Sequence, residues 1–333
     1  MGRVAAARSR RTVRLKTAKG TRRVRLPRPD GARASRRRSP LPLDKALGAA
    51  VDDRARRLGR RVRRGIPMGR TRIDEAVHDL RTSARRLLAA LLAVRPLLGR
   101  KRSRRLSRRI ERVLDRSGEL RDVGVELQML SALGSHEAEI ALRPLRERLR
   151  DKHEALARKL HRRLRRPGPR RIRRDIRRAL ERSGRGPATA SAVRGAALAA
   201  AREGFSRLRK SRLAVSPAEV ETIHRMRIDL KEFRYLMEAL RPVAVGVSRQ
   251  ELESLHELQT TMGDLHDLEV LSATIARHVA KVQPETAPHA AAVLQTLEER
   301  HSAMLTSFLQ AVDPILDSWE RILSSRRRWA SRS

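Results

Sequence analysis

From Leu43 onward apolar residues recur three and four positions apart, and the period rarely drops to two. That spacing places one apolar stripe on a 3.6-residue helix and argues against strands. Broken at clusters of Pro, Gly and Ser, the pattern predicts helices over 44–64, 73–98, 102–116, 120–133, 137–165 and 170–182. In the second half it predicts helices over 192–212, 217–240, 248–262, 265–282 and 287–325, with a break at Gly263 and a bend near Pro314. Ser216-Pro217-Ala218-Glu219 reads as a helix start: a cap, a proline in first position and an acid in the first turn. Residues 1–40 lack the helical period and end in Pro, Gly and Ser, so they read as a disordered basic tail. Short alternations at Thr12–Leu15 and Val24–Leu26 are the one hint of strand there.

Composition sharpens the fold class. The chain has 333 residues and is 40% hydrophobic but only 2% aromatic, so its core must be built from Leu, Ala, Val and Ile. Few aromatics and little β-branched clustering point to an all-α protein. With no cysteine, disulfides and Cys-ligated zinc are excluded, and a reducing cytoplasm fits. No apolar run approaches the ~18 residues of a membrane span, and no apolar signal core follows the basic start.

The formal charge is +41, far beyond what solubility needs, and such a surface recruits polyanions. Its distribution is uneven. Residues 1–40 carry net +14, residues 41–186 net +25 and residues 187–333 only +2.

Two fragments then recur in order. VHDLRTSARRL at 77–87 matches IHRMRIDLKEF at 223–233, and SGELRDVGVELQML at 117–130 matches MGDLHDLEVLSATI at 262–275. The separation from His78 to Asp122 is 44 residues and that from His224 to Asp267 is 43, so the expectation is a duplicated helical unit with pseudo-two-fold packing. At ~100° per residue, Val77, Leu80, Ala84, Leu87 and Leu91 form one apolar face, with His78, Arg81 and Arg85 along its flank. The second copy repeats this with Ile223, Met226, Leu230, Phe233 and Met237, flanked by His224, Arg227, Lys231 and Arg234. Cations stacked one turn apart repel each other. Rows of them beside a buried face suit a bound polyanion, or acids from other helices.

The pattern His-x-x-Arg-x-x-x-Arg/Lys followed by RD-x-x-V or D-x-x-V, occurring twice, resembles the conserved histidine α-helical domain (CHAD) family. The resemblance rests on VHDLRTSARRL, LRDVGV, IHRMRIDLKEFRYLME and MGDLHDLEV and spans roughly residues 43–325. It implies two antiparallel helical bundles, 41–186 and 187–333, with a basic cleft between them. It also implies binding of inorganic polyphosphate without catalysis and without a cofactor, in the cytoplasm and at polyphosphate granules. His78, Arg81, Arg85 and Arg86 would carry one half-site, and His224, Arg227, Lys231 and Arg234 the other. The copies differ where Arg86 is matched by Glu232 and Leu88 by Arg234.

Other residues fill supporting roles. Arg57 and Arg61 on the first helix and Arg105 and Arg109 on the third widen the basic surface. Asp122 and Asp267 cap a helix or orient the rows rather than perform chemistry. No histidine or carboxylate stands three or four positions after His78 or His224 on the same face, so no metal is expected. A phosphohydrolase would need a nucleophile or a carboxylate-rich metal site, and neither is evident. The alternative is a nucleic-acid-binding or nucleoid-associated protein, with the basic tail as its nonspecific part. Against it stand the missing recognition-helix motif and the scarcity of aromatics for stacking.

Overall fold

The computed structural model describes residues 12–17, 20–25, 43–66, 70–133, 136–166, 171–183, 190–241, 247–280 and 287–325. In chain order the elements are the strands β1 (Thr12–Thr17) and β2 (Gly20–Arg25), followed by the helices. These are α1 (Leu43–Arg64), α2 (Arg70–Ala93), α3 (Arg95–Leu98), α4 (Arg100–Arg116), α5 (Gly118–Ala132), α6 (His136–Leu164) and α7 (Ile172–Ser183). The second half adds α8 (Ala190–Leu213), α9 (Val220–Leu240), α10 (Arg249–Val279) and α11 (Ala287–Ser324). The fold is all-α apart from the hairpin, and no described helix is long and apolar enough to cross a membrane.

The apolar faces read from the sequence are the buried ones. Val77, Leu80, Ala84, Leu87 and Leu91 of α2 are buried, as are Ile223, Met226, Leu230, Phe233 and Met237 of α9. α2 packs on α1 and α4, α9 packs on α8 and α10, and α2 and α9 pack directly on each other. One contiguous core therefore runs through both halves. In the second half Phe233 sits at its centre, edge-on to Trp319 of α11 at 5.4 Å and 5.5 Å from Phe205 of α8.

Local signals end several helices where expected. Gly65 adopts φ 72°, a left-handed conformation only glycine takes easily, and its N–H closes α1 onto the Arg61 carbonyl. Ser248 and Glu251 form a reciprocal capping box at the start of α10.

Three expectations fail, each for a tertiary reason. The tail is not wholly unstructured, because β1 and β2 pair antiparallel with Val13 opposite Val24 and Leu15 opposite Arg22. Their period-two alternation seats Leu15 and Val24, both buried, on α10 and α11, and the Lys16 N–H donates to Ser307 Oγ at 3.0 Å. The rest of residues 1–40 and the loop 184–189 lie outside the described residues. Gly263 does not break its helix. α10 runs through it because Thr261, Met262, Leu265 and Leu268 keep a continuous buried face, outweighing a glycine penalty of about 1 kcal/mol. The predicted cap at Ser216-Pro217 is displaced as well. α9 starts at Val220, and the Ser216 N–H is taken instead by Thr222 Oγ1 at 3.0 Å.

Candidate polyanion-binding site

The α2–α9 contact joins the two predicted rows. Arg81 and Arg85 from α2 act electrostatically on Lys231 from α9, and Arg85 acts on Arg227 as well. These four form one cationic cluster of half-buried side chains. Burial, and then Arg85, Arg227 and Arg81, push the Lys231 ammonium down to about 7. Burial and the neighbouring Arg85 hold Arg81 down to about 10, so it stays charged at neutral pH. Among the described residues, Arg85, Arg227 and Lys231 make no hydrogen bond or ion pair. Four partly desolvated cations with no direct counter-charge are poised to take an anionic ligand.

Arg81 has a second task. Its guanidinium donates to the Leu114 carbonyl at 2.6 Å and to Ser117 Oγ at 3.1 Å, tying α2 to the end of α4. Asp122 of α5 and Asp267 of α10 sit beside the cluster. Asp122 attracts Arg81 and Arg227, while Asp267 attracts Arg227. Both lie inside their helices rather than at a cap, so of the two expected roles only orientation survives. Burial raises the Asp267 carboxyl, with Arg121 and Arg227 pulling the other way.

The histidines flank this cluster, each beside a residue that the sequence reading passed over. His78 has its pKa lowered by burial and then by Arg121 of α5. His224 has its pKa lowered by burial and then by His266 of α10, whose ring lies 5.3 Å away. Arg121 and His266 occupy matching places in LRDVGV and LHDLEV, immediately before the aspartates. That alignment held the signal.

The remaining predicted residues divide away from the cluster. Arg86 donates to Glu238 of α9 at 3.1 Å. Arg234 is buried, ion-paired to the same Glu238 and bonded to Gln259 at 2.5 Å. With His78, these groups line a cavity of about 690 Å³ between α1, α2, α9 and α10. Arg54 also lines it and donates to the Glu238 carbonyl at 3.2 Å, another residue the sequence did not flag. The stripe His78–Arg81–Arg85–Arg86 thus splits between two faces of α2.

The supporting arginines are largely occupied. Arg57 pairs with Asp53 on its own helix at 2.7 Å, and Arg61 pairs with Asp79 at 2.6 Å. Arg109 is ion-paired to Asp175 of α7. Arg105 is exposed on α4.

Behind each half-site stands a histidine–carboxylate pair. His153 of α6 bonds Asp74 at 2.9 Å, and Gly124 of LRDVGV lies against them. A Cβ there would overlap the Asp74 carboxylate and stand 3.4 Å from His153 Nε2. In the second half, Glu269 holds His301 at 3.1 Å and lies 3.6 Å from His266. No group of three or more metal-ligating side chains occurs among the described residues.

The family model for the CHAD domain matches residues 68–276, more than half of the chain and inclusive of both rows. No curated protein matches. The crystal structure of the CHAD domain from the plant Ricinus communis is similar with a TM-score of 0.59 and 21% identity, covering 90% of this chain and 98% of that one. PptA from Streptomyces chartreusis is similar with a TM-score of 0.61 and 19% identity, covering 81% of this chain and 99% of that one. At such identities the likeness is one of fold.

Proposed function

This chain belongs to the CHAD domain family, and on that premise we propose that it binds inorganic polyphosphate in the cluster of Arg81, Arg85, Arg227 and Lys231, without hydrolysing it. One observation carries the reading. Two helices from opposite halves contribute two cations each, and Lys231 is pushed to about 7 by burial and then by its cationic neighbours. Holding like charges together costs free energy that a phosphate chain would return, since its negative units pair with the cations and restore the lysine's charge. Arginine forks match two phosphate oxygens, and Lys231 acts as a point charge. His78 and His224, with lowered pKa values, offer neutral imidazoles at the two edges as hydrogen-bonding groups rather than fixed charges. A binding role in the cytoplasm, at polyphosphate granules, follows from the same reading.

The test uses labelled long-chain polyphosphate and the full-length protein. Arg85→Gln/Lys231→Gln should weaken binding by about tenfold or more, as expected when two charge-assisted contacts are lost. Arg57→Gln/Arg61→Gln, whose partners are acids of this chain, should change it less than about twofold. The reverse order removes the site assignment, and release of free phosphate on incubation replaces binding with hydrolysis.

A further inference from the structure

The cluster draws its cations evenly from the two halves, whereas the surplus charge of the helical region does not, standing at +25 over residues 41–186 against +2 over 187–333. α4 is the densest part of that excess. Its 17 residues, RKRSRRLSRRIERVLDR, hold nine cations against two acids. The helix that follows α9 opens RQELESLHELQTTM, with one arginine against three glutamates. Whatever the charge of α4 serves, a cluster supplied evenly by α2 and α9 does not require it.

α4 is anchored by few positions. Ser103, Leu106, Ile110 and Val113 are buried, and most of the helix faces solvent. Arg104, Arg108, Arg112 and Arg116 follow one another at intervals of four, so they form one row up the helix at about 6 Å spacing. Arg104, Arg108 and Arg112 are exposed, and among the described residues they have neither an ion pair nor a hydrogen bond. Among the described residues no acid is ion-paired to this row as acids are to Arg57, Arg61 and Arg86. Beside it packs α7, fixed by the Arg109–Asp175 pair and exposing Arg174.

We propose that the outer face of α4, continued onto α7, is a second polyanion surface that binds duplex nucleic acid through its phosphates, separately from the cluster of Arg81, Arg85, Arg227 and Lys231. The shape favours a duplex. A convex helix about 25 Å long offers a rigid row of guanidiniums to an equally rigid array of phosphates. A flexible phosphate chain gains more in a groove that surrounds it. Single strands are disfavoured because binding them relies on stacking, and the described aromatics Phe205, Phe233, Tyr235, Phe308 and Trp319 are all buried. The row is made of arginines, whose forks fit phosphate oxygens, and the proposed recognition rests on those phosphate contacts.

The experiment measures fluorescence polarisation of a short labelled DNA duplex with the full chain across a salt series. Arg104→Gln/Arg108→Gln/Arg112→Gln lies on an exposed helix face where glutamine keeps helix propensity, and circular dichroism checks that the fold is retained. The triple variant should lose about tenfold or more in duplex affinity, and its log–log salt slope should fall by about 3. Its polyphosphate binding should stay within about twofold of the parent, and Arg85→Gln/Lys231→Gln should show the opposite pattern. Duplex binding that is absent in the parent, unchanged in the triple variant, or matched by single-stranded DNA of equal phosphate content overturns the proposal. Equal loss of both ligands in the triple variant also overturns it, because the two surfaces would then be one.

Discussion

Arg86 of α2 donates its Nε–H to Glu238 of α9 at 3.1 Å, so a cation of the first predicted row is answered by an acid of the opposite half. The same carboxylate holds Arg234, the last cation of the second row. Glu238→Gln should therefore release positive potential into the cavity that both arginines share with His78. The expected result is polyphosphate affinity raised about two- to fivefold, a Coulombic effect that shrinks with salt. Buried Arg234 loses its charged partner at the same time, so stability should fall by about 1–3 kcal/mol in denaturant titration. Unchanged affinity at low salt would mean that the cavity does not communicate with the ligand.

The lysine in the cluster predicts proton linkage. Burial and its cationic neighbours push the Lys231 ammonium from 10.5 down to about 7, and a bound polyanion would restore its charge. Between those values binding takes up a proton, so affinity should fall as pH rises above about 7, by at most tenfold per unit. Calorimetry at pH 8 in two buffers of different ionisation enthalpy should report uptake approaching one proton. Lys231→Arg stays charged throughout and should abolish both the uptake and the slope.

Gly124 predicts a packing constraint. Gly124→Ala places a methyl group against the Asp74 carboxylate and His153, and should cost about 1–3 kcal/mol. Asp74→Ala/Gly124→Ala removes the obstacle, so its loss should be clearly less than the sum of the single losses. Thermal unfolding of the four proteins checks this.

The Glu269–His301 pair gives stability a pH signature. The His301 pKa is raised, chiefly by its hydrogen bond to Glu269, so its contribution is full below 6.5 and is lost as pH rises through the folded value. Glu269 would be raised by burial, but its bonds to His266 and His301 hold it at about 2, so its contribution is full above 4.5 and is lost as pH falls toward 2. Between 4.5 and 6.5 both terms are present. Glu269→Gln should thus cost about 1–3 kcal/mol at pH 5.5 and clearly less at pH 8, read from denaturant midpoints. Equal losses at both pH values would remove the charged pair as the cause.

How much of this was legible varies with the distance over which each feature is decided. The apolar faces of α2 and α9 were legible because the helical period is a local property, and every residue assigned to them is buried. The motif repeat placed His78, Arg81 and Arg85 and their partners His224, Arg227 and Lys231 on helices that pack together. It also contained Arg121 and His266, whose importance emerged only once they stood beside the histidines.

What tertiary structure alone decided is which charges remain available. Arg86 meets an acid 152 positions away and Arg109 one 66 positions away, and nothing near either arginine announces the pairing. The hairpin follows the same rule. Val13, Leu15 and Val24 amid basic residues are too few to order a ribbon by themselves, and α10 and α11 supply the apolar surface that they cover. The sequence by itself determined the helices, their buried stripes and a surplus of positive charge, since each depends on residue type and short-range spacing. Packing determined which of those cations are neutralised within the chain and which stand unanswered, because ion pairing depends on distances that only the folded chain brings about.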